Sequence, residues 1–193
     1  EKAYLYSNIT QADSATHLLE RMDSISRRHG DSVLVAEGLK MKGNLLFSQG
    51  AYPEALKAHR EALRWGNQSQ RSHTYNEVAR DFFALGEIDS ASRYLIQSVE
   101  EQKREGDLFG LAVTYGNAGH FYEQLGEDAL AGEYLDSGLL VAVTHRFYDL
   151  QAWMHKSRSD MLARKKQYEE ALIEYRQYAR FQDSARMQAG GMD

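Results

Sequence analysis

The chain has 193 residues, 42% of them hydrophobic and 26% charged, with a formal net charge of −5. That is enough apolar material for one large domain or an extended array, and too much for a disordered tail. A single proline together with few Val or Ile alternations argues against a β fold, the acidic balance argues against a nucleic-acid binder, which needs a basic face for phosphates, and the lack of cysteine excludes disulfide and zinc–thiolate chemistry.

In chain order, residues 2–8 read as a short opening helix and residues 12–28 as a second, so the first helix pair is cut short. The chain opens on Glu1, not Met, and is read as a piece of a longer protein. The next pair is the clearest. In GNLLFSQGAYPEALKAHREAL, from Gly43 to Leu63, Leu46 and Phe47 form an apolar stripe with Gly43. Gly50 breaks that helix, and a second runs from Tyr52 with Ala55, Leu56, Ala62 and Leu63 inward. Pro53 sits in its first turn, where a missing N–H leaves no bond unmade. Gly43 and Ala55 are small where bulk is usual, so the two helices are expected to cross there at close backbone contact. Further pairs are read over 70–105, 107–144 and 148–187, with 188–193 as a flexible tail containing Gly190 and Gly191. In a longer parent the last helix would continue as the mechanical link to the next domain or membrane span.

These pairs keep one rhythm. Ala15, Ala55, Ala91, Ala131 and Ala171 mark the second helices, and Ala3, Gly43, Ala79, Gly119 and Ser159 mark the first helices at matching offsets; a fixed period in the tens of residues marks a solenoid. Gly30-Asp31 lies over Gly106-Asp107, where Gly supplies a left-handed helix stop and Asp caps the next helix. In the following unit these slots hold Arg146 and Phe147, so that joint is expected to turn differently. No linker splits the array, which reads as one domain with units of about 1–31, 32–69, 70–106, 107–147 and 148–187.

The markers resemble those of the tetratricopeptide repeat (TPR) family. The second unit carries Gly43, Gly50, Tyr52, Ala55, Ala62 and Leu63. The third has Phe82, Gly86, Ala91 and Val99, the fourth Tyr115, Gly119, Tyr122, Gly126 and Ala131, and the fifth Tyr168, Ala171, Leu172 and Tyr175. Departures are Ser98 and Gly138 in an Ala slot, Lys166 in place of a hinge Gly, and no closing Pro. The resemblance implies an all-α fold, a right-handed superhelical solenoid of about five helical hairpins. The long units and the ending EYRQYARFQDS are similar to the sensor arrays of bacterial histidine kinases and transcription regulators.

No Walker loop, Rossmann glycine pattern, HExxH or GxSxG is present, so no enzyme, cofactor or metal site is expected. His73 and Glu77 share a helix face at metal-ligand spacing but lack a third ligand, and read as a surface pair. The resemblance implies that the first helix of each unit lines a concave groove. Its inward slots hold Glu37, Lys40, Asn44 and Phe47; then His73, Asn76, Arg80 and Phe83. Next come Val113, Gly116, His120 and Glu123, and finally Trp153, Lys156, Asp160 and Arg164. Cations outnumber anions there, so the groove is expected to be slightly positive, with Arg80 and Lys156 placed to hold an acidic segment.

Lys40 and Asn44 match the first two residues of the carboxylate clamp of chaperone-binding members. Glu77, Val113 and Asn117 do not match the rest, so an ordinary polar pair is expected. Phe47, Phe83 and Trp153 read either as interface anchors or as packing against the neighbouring hairpin. The expected function is a protein-interaction scaffold. It would be the sensing module of a bacterial signalling protein, in the cytoplasm or periplasm, with a protein or peptide ligand and no membrane span of its own. The alternative is a stand-alone assembly or chaperone-like adaptor, exported or not.

Overall fold

The computed structural model describes the backbone of residues 2–190 and the side chains of residue 14 and residues 17–188. Among these residues there are nine helices and no strand: α1 (Lys2–His29), α2 (Ser32–Ser48), α3 (Tyr52–Trp65), α4 (Gln68–Ala84), α5 (Ile88–Glu105), α6 (Leu108–Gln124), α7 (Asp128–Thr144), α8 (Tyr148–Arg164) and α9 (Tyr168–Gly190). The fold is an all-helical, repeat-like arrangement. It divides within α5 into two compact units, Glu1–Glu101 and Gln102–Asp193.

After α1, the helices form four hairpins with one loop design. The residue after the first helix's C-cap has positive φ: Gly50 (79°), Gly86 (78°), Gly126 (77°) and Lys166 (61°). Each loop closes the same way, with Ala51 N, Glu87 N, Glu127 N and Gln167 N donating to the carbonyls of Leu46, Phe82, Tyr122 and Leu162 at 2.9–3.0 Å. These bonds satisfy carbonyls that a helix end leaves free. Lys166 keeps this path without glycine's freedom.

The joints between hairpins have a second design, and here one expectation is overturned. Gly30 (φ 70°) and Gly106 (φ 72°) turn left-handed as expected, but Arg146 (φ 58°) makes the same turn. Phe147 N donates to Ala142 O at 2.9 Å, as Asp31 N does to Ser26 O and Asp107 N to Gln102 O at 3.0 Å. A left-handed non-Gly residue costs roughly 1–2 kcal/mol. Packing offsets it: Phe147 lies on the core of the second unit, edge-on to Phe109 at 5.2 Å. Phe147 makes no side-chain cap, whereas Asp31 and Asp107 accept from Leu34 N and Gly110 N at 3.0 Å.

The α3–α4 joint is the exception. Gly66 is extended (φ −69°, ψ 145°), and Asn67 and Gln70 form a reciprocal capping box. The shorter spacing between Ala55 and Ala91 has its cause here: α3 has 14 residues where α5 has 18 and α7 has 17, one turn fewer.

Two corrections concern the ends. The expected break between residues 8 and 12 is absent, since α1 is one continuous helix; Ile9-Thr10-Gln11 contains no glycine to stop it. The expected tail from residue 188 is helical as far as Gly190, and residues 191–193 lie outside the described residues.

Small residues set the hairpin crossings. A Cβ at Gly119 would meet Leu135 Cγ at 2.6 Å and the backbone oxygen of Ala131 at 3.2 Å, so α6 and α7 approach closely at the marker pair Gly119/Ala131. Ser159 Oγ donates to Ala171 O at 2.9 Å, joining the next marker pair directly. At Gly43 the space is filled differently than expected: a Cβ there would run into the His59 ring. Around these crossings the first unit buries Val35, Leu39 and Ala62, and separately Val78, Phe82 and Ala91. The second unit buries Leu135, Leu139, Leu150 and Met154 with Ala112 and Ala142.

Candidate functional site

The expected binding residues lie on α2 and α4 in the first unit and on α6 and α8 in the second. In the first unit the structure joins three of them. Arg80 Nη2 donates to Asn44 Oδ1 at 2.7 Å, and its guanidinium lies over the Phe47 ring at 4.1 Å. A cation on an aromatic face contributes roughly 0.5–2 kcal/mol, more when desolvated. Phe47 also meets Tyr52 at 5.1 Å. Arg80 pairs with Glu77 at 2.5 Å. His73 is exposed, Asn76 is buried, and Phe83 packs against the Val78–Phe82–Ala91 cluster.

In the second unit Trp153 lies against Gly116, where a Cβ would collide with the indole; it also packs on the core cluster. Glu123, with its side chain only 7% exposed, receives Arg164 and faces His120 Nδ1 at 3.5 Å. His120 also meets Gln124 at 2.7 Å. Desolvation, with the positive Arg164 behind it, holds His120 below the ordinary imidazole value. Lys156 bonds Asp160 at 2.6 Å.

The expected positive excess is therefore neutralised pair by pair. Lys40 is taken by Glu37 at 2.9 Å, Arg80 by Glu77, Lys156 by Asp160 and Arg164 by Glu123. Glu77, outside the expected slots, supplies the balancing charge. With Lys40 on Glu37 and Asn44 on Arg80, the two clamp-like residues are already engaged within the unit.

Several groups escaped the sequence reading. His59 and Asp81 are both fully buried, with His59 Nδ1 2.5 Å from Asp81 Oδ2. Burial pushes the Asp81 carboxyl above its ordinary value, while His59 and Arg80 pull it down. In the repeat register His59 occupies the slot of Leu95 and Leu135, and Asp81 that of Phe121 and Met161. A polar residue in an apolar slot was the available signal. In the second unit His155 Nδ1 meets Glu174 Oε2 at 2.6 Å and its ring stacks on Phe181 at 5.4 Å. Arg158 bridges to Asp136 at 2.7 Å. Tyr134 stacks on Tyr122 at 5.3 Å, and its burial raises the phenol's pKa. A cleft of about 230 Å³ opens between α1, α2 and α3, lined among others by Leu39, Leu45 and Leu46 and by Arg27, which is held by Asp23 and Glu61.

No protein-family model matches the chain, and no curated protein matches it. Among solved structures it is similar to the crystal structure of BtubC (BKLC) from P. vanneervenii, with a TM-score of 0.58 and 15% sequence identity over 95% of this chain and 91% of that one. At that identity the likeness shows the fold alone: an all-helical, repeat-like chain among helical proteins.

Proposed function

We propose that the chain is a non-enzymatic interaction scaffold of the tetratricopeptide-repeat type. It would serve as the partner-sensing module of a bacterial signalling protein and bind a peptide or partner domain on the first helices of its hairpins. The observation that carries this reading is the cluster of Arg80, Phe47 and Asn44. A guanidinium already laid on a half-buried ring and fixed by an amide presents a rigid, amphipathic surface. Such a surface gives up little side-chain entropy when it is covered, and Arg and aromatic residues dominate interface energetics. Trp153, half-buried on the matching face of α8, supports the same reading in the second unit. Because the local cations are already paired, the partner is read as apolar and polar in mixture and not as an acidic segment.

The test is cross-linking of the purified chain to partners captured from its source, with the linked residues mapped by mass spectrometry. Links concentrated on α2, α4, α6 and α8 are expected. Links confined to α3, α5, α7 and α9 would remove the first helices as the binding face.

A further inference from the structure

His59 and Asp81 stand in a place the repeat otherwise makes apolar. Both are 0% exposed, and besides their mutual contact His59 Nε2 and Asp81 Oδ1 have no hydrogen-bond partner. The ring cannot withdraw from α4, because Gly43 of α2 lies directly against it. In the matching slots of the second unit stand Leu135 of α7 and Met161 of α8, 1% and 8% exposed. We propose that the buried His59–Asp81 contact makes the α3–α4 joint of the first unit proton-dependent, tight while Asp81 keeps its carboxyl proton and looser once that proton is lost.

The physical reason is charge compensation. With its proton in place, the Asp81 carboxyl is uncharged and can donate that proton to His59 Nδ1. Without it, a carboxylate is left in an interior where an unpaired charge is strongly disfavoured. The charged groups acting on Asp81 are His59 and Arg80. Arg80 is already engaged by Glu77 on its own helix and Asn44 on α2. The other charged groups nearby are turned to different partners. On α2, Lys40 goes to Glu37 and Lys42 to the cleft beside α1. On α3, Arg60 is exposed and Glu61 bonds Arg27 of α1. From α5, Leu95 and Ser98 are buried, and the Ser98 hydroxyl is spent on Ser72 O.

Asp81 sets the sign. Its folded value is raised by burial, so folding takes up a proton. The contribution is fully present below the ordinary carboxyl value of about 3.9 and is lost as pH rises through the raised folded value.

The experiment is amide hydrogen exchange of the whole chain between about pH 4.5 and 8, corrected for intrinsic rates, on the parent, Asp81→Asn and the double variant His59→Leu, Asp81→Met. Asp81→Asn keeps the shape without the titrating proton, and the double variant copies the second unit's residues. In the parent, protection in α3 and α4 should fall by about tenfold for each pKa unit separating the folded and unfolded carboxyl, while α7 keeps its protection. Neither variant should show this fall with rising pH. A flat parent, an equal fall in α7, or the same fall surviving in either variant would overturn the proposal. Loosening of α4 would reach Arg80 and hence the partner face, a link that rests on the proposed function. The exchange readout needs no partner, so the two ideas fail separately.

Discussion

The α2–α3 and α6–α7 hairpins cross on the same small residue but fill the space beneath it with opposite chemistry. Gly43 shelters an imidazole and Gly119 a leucine side chain, and His59 and Leu135 stand at the same repeat position. The comparison teaches that the glycine sets how closely the helices approach, not what lies between them. An aliphatic filler is satisfied by any apolar neighbour. An imidazole needs a polar one, and α4 provides Asp81 where α8 has Met161.

The sharpest way to break that comparison is to remove the partner of the polar filler. Asp81→Ala should destabilise the first unit by about 3–5 kcal/mol, as loss of one member of a buried pair does, measured by urea unfolding. A change below about 1 kcal/mol, ordinary for a surface substitution, would mean that the pair does not hold the crossing. Gly119→Leu comes next, since its Cβ alone would meet Leu135 at 2.6 Å and the Ala131 carbonyl at 3.2 Å. Overpacking costs about 1–3 kcal/mol and occasionally more, and the upper end is expected because backbone as well as side chain is in the way. A melting temperature equal to the parent's would show that the crossing is loose.

Smaller and opposite in sign, Arg146→Gly should stabilise the second unit by about 1 kcal/mol, the left-handed strain relieved less the added freedom of the unfolded chain. A loss of stability would mean that the Arg146 side chain contributes more than its backbone costs. Least of all, Lys156→Ala should change stability by about 0.5 kcal/mol or less, because its pair with Asp160 is 40% and 50% exposed. A larger effect would give that pair a part in the crossings after all.

Much of the hairpin plan was legible because helix stops are local events. Gly50, Gly86 and Gly126 announce their turns, and Asp31 and Asp107 announce the caps of the helices after them. What escaped was decided between helices. His59 and Asp81 are 22 residues apart, and helical periodicity alone does not say which polar residue goes inside. Their departure from the Leu95 and Leu135 register was visible, though only as a polar residue in an apolar column. Lys156–Asp160 is a local pair and easily foreseen, whereas Arg164 reaches Glu123 on another helix, so the sign of the local field was not readable from slots. The unbroken α1 was missed for the converse reason: the repeat rhythm predicted a turn where no residue between 8 and 12 enforces one.

Arg146 carries a consequence for how such joints are recognised. Its turn is closed by the Phe147 amide reaching Ala142 O, a bond between backbone atoms. A joint of this design thus keeps its path where the glycine that eases it is absent, at the strain of one left-handed residue. What the joints share is spacing and backbone geometry, and a search for the glycine alone would pass over this one.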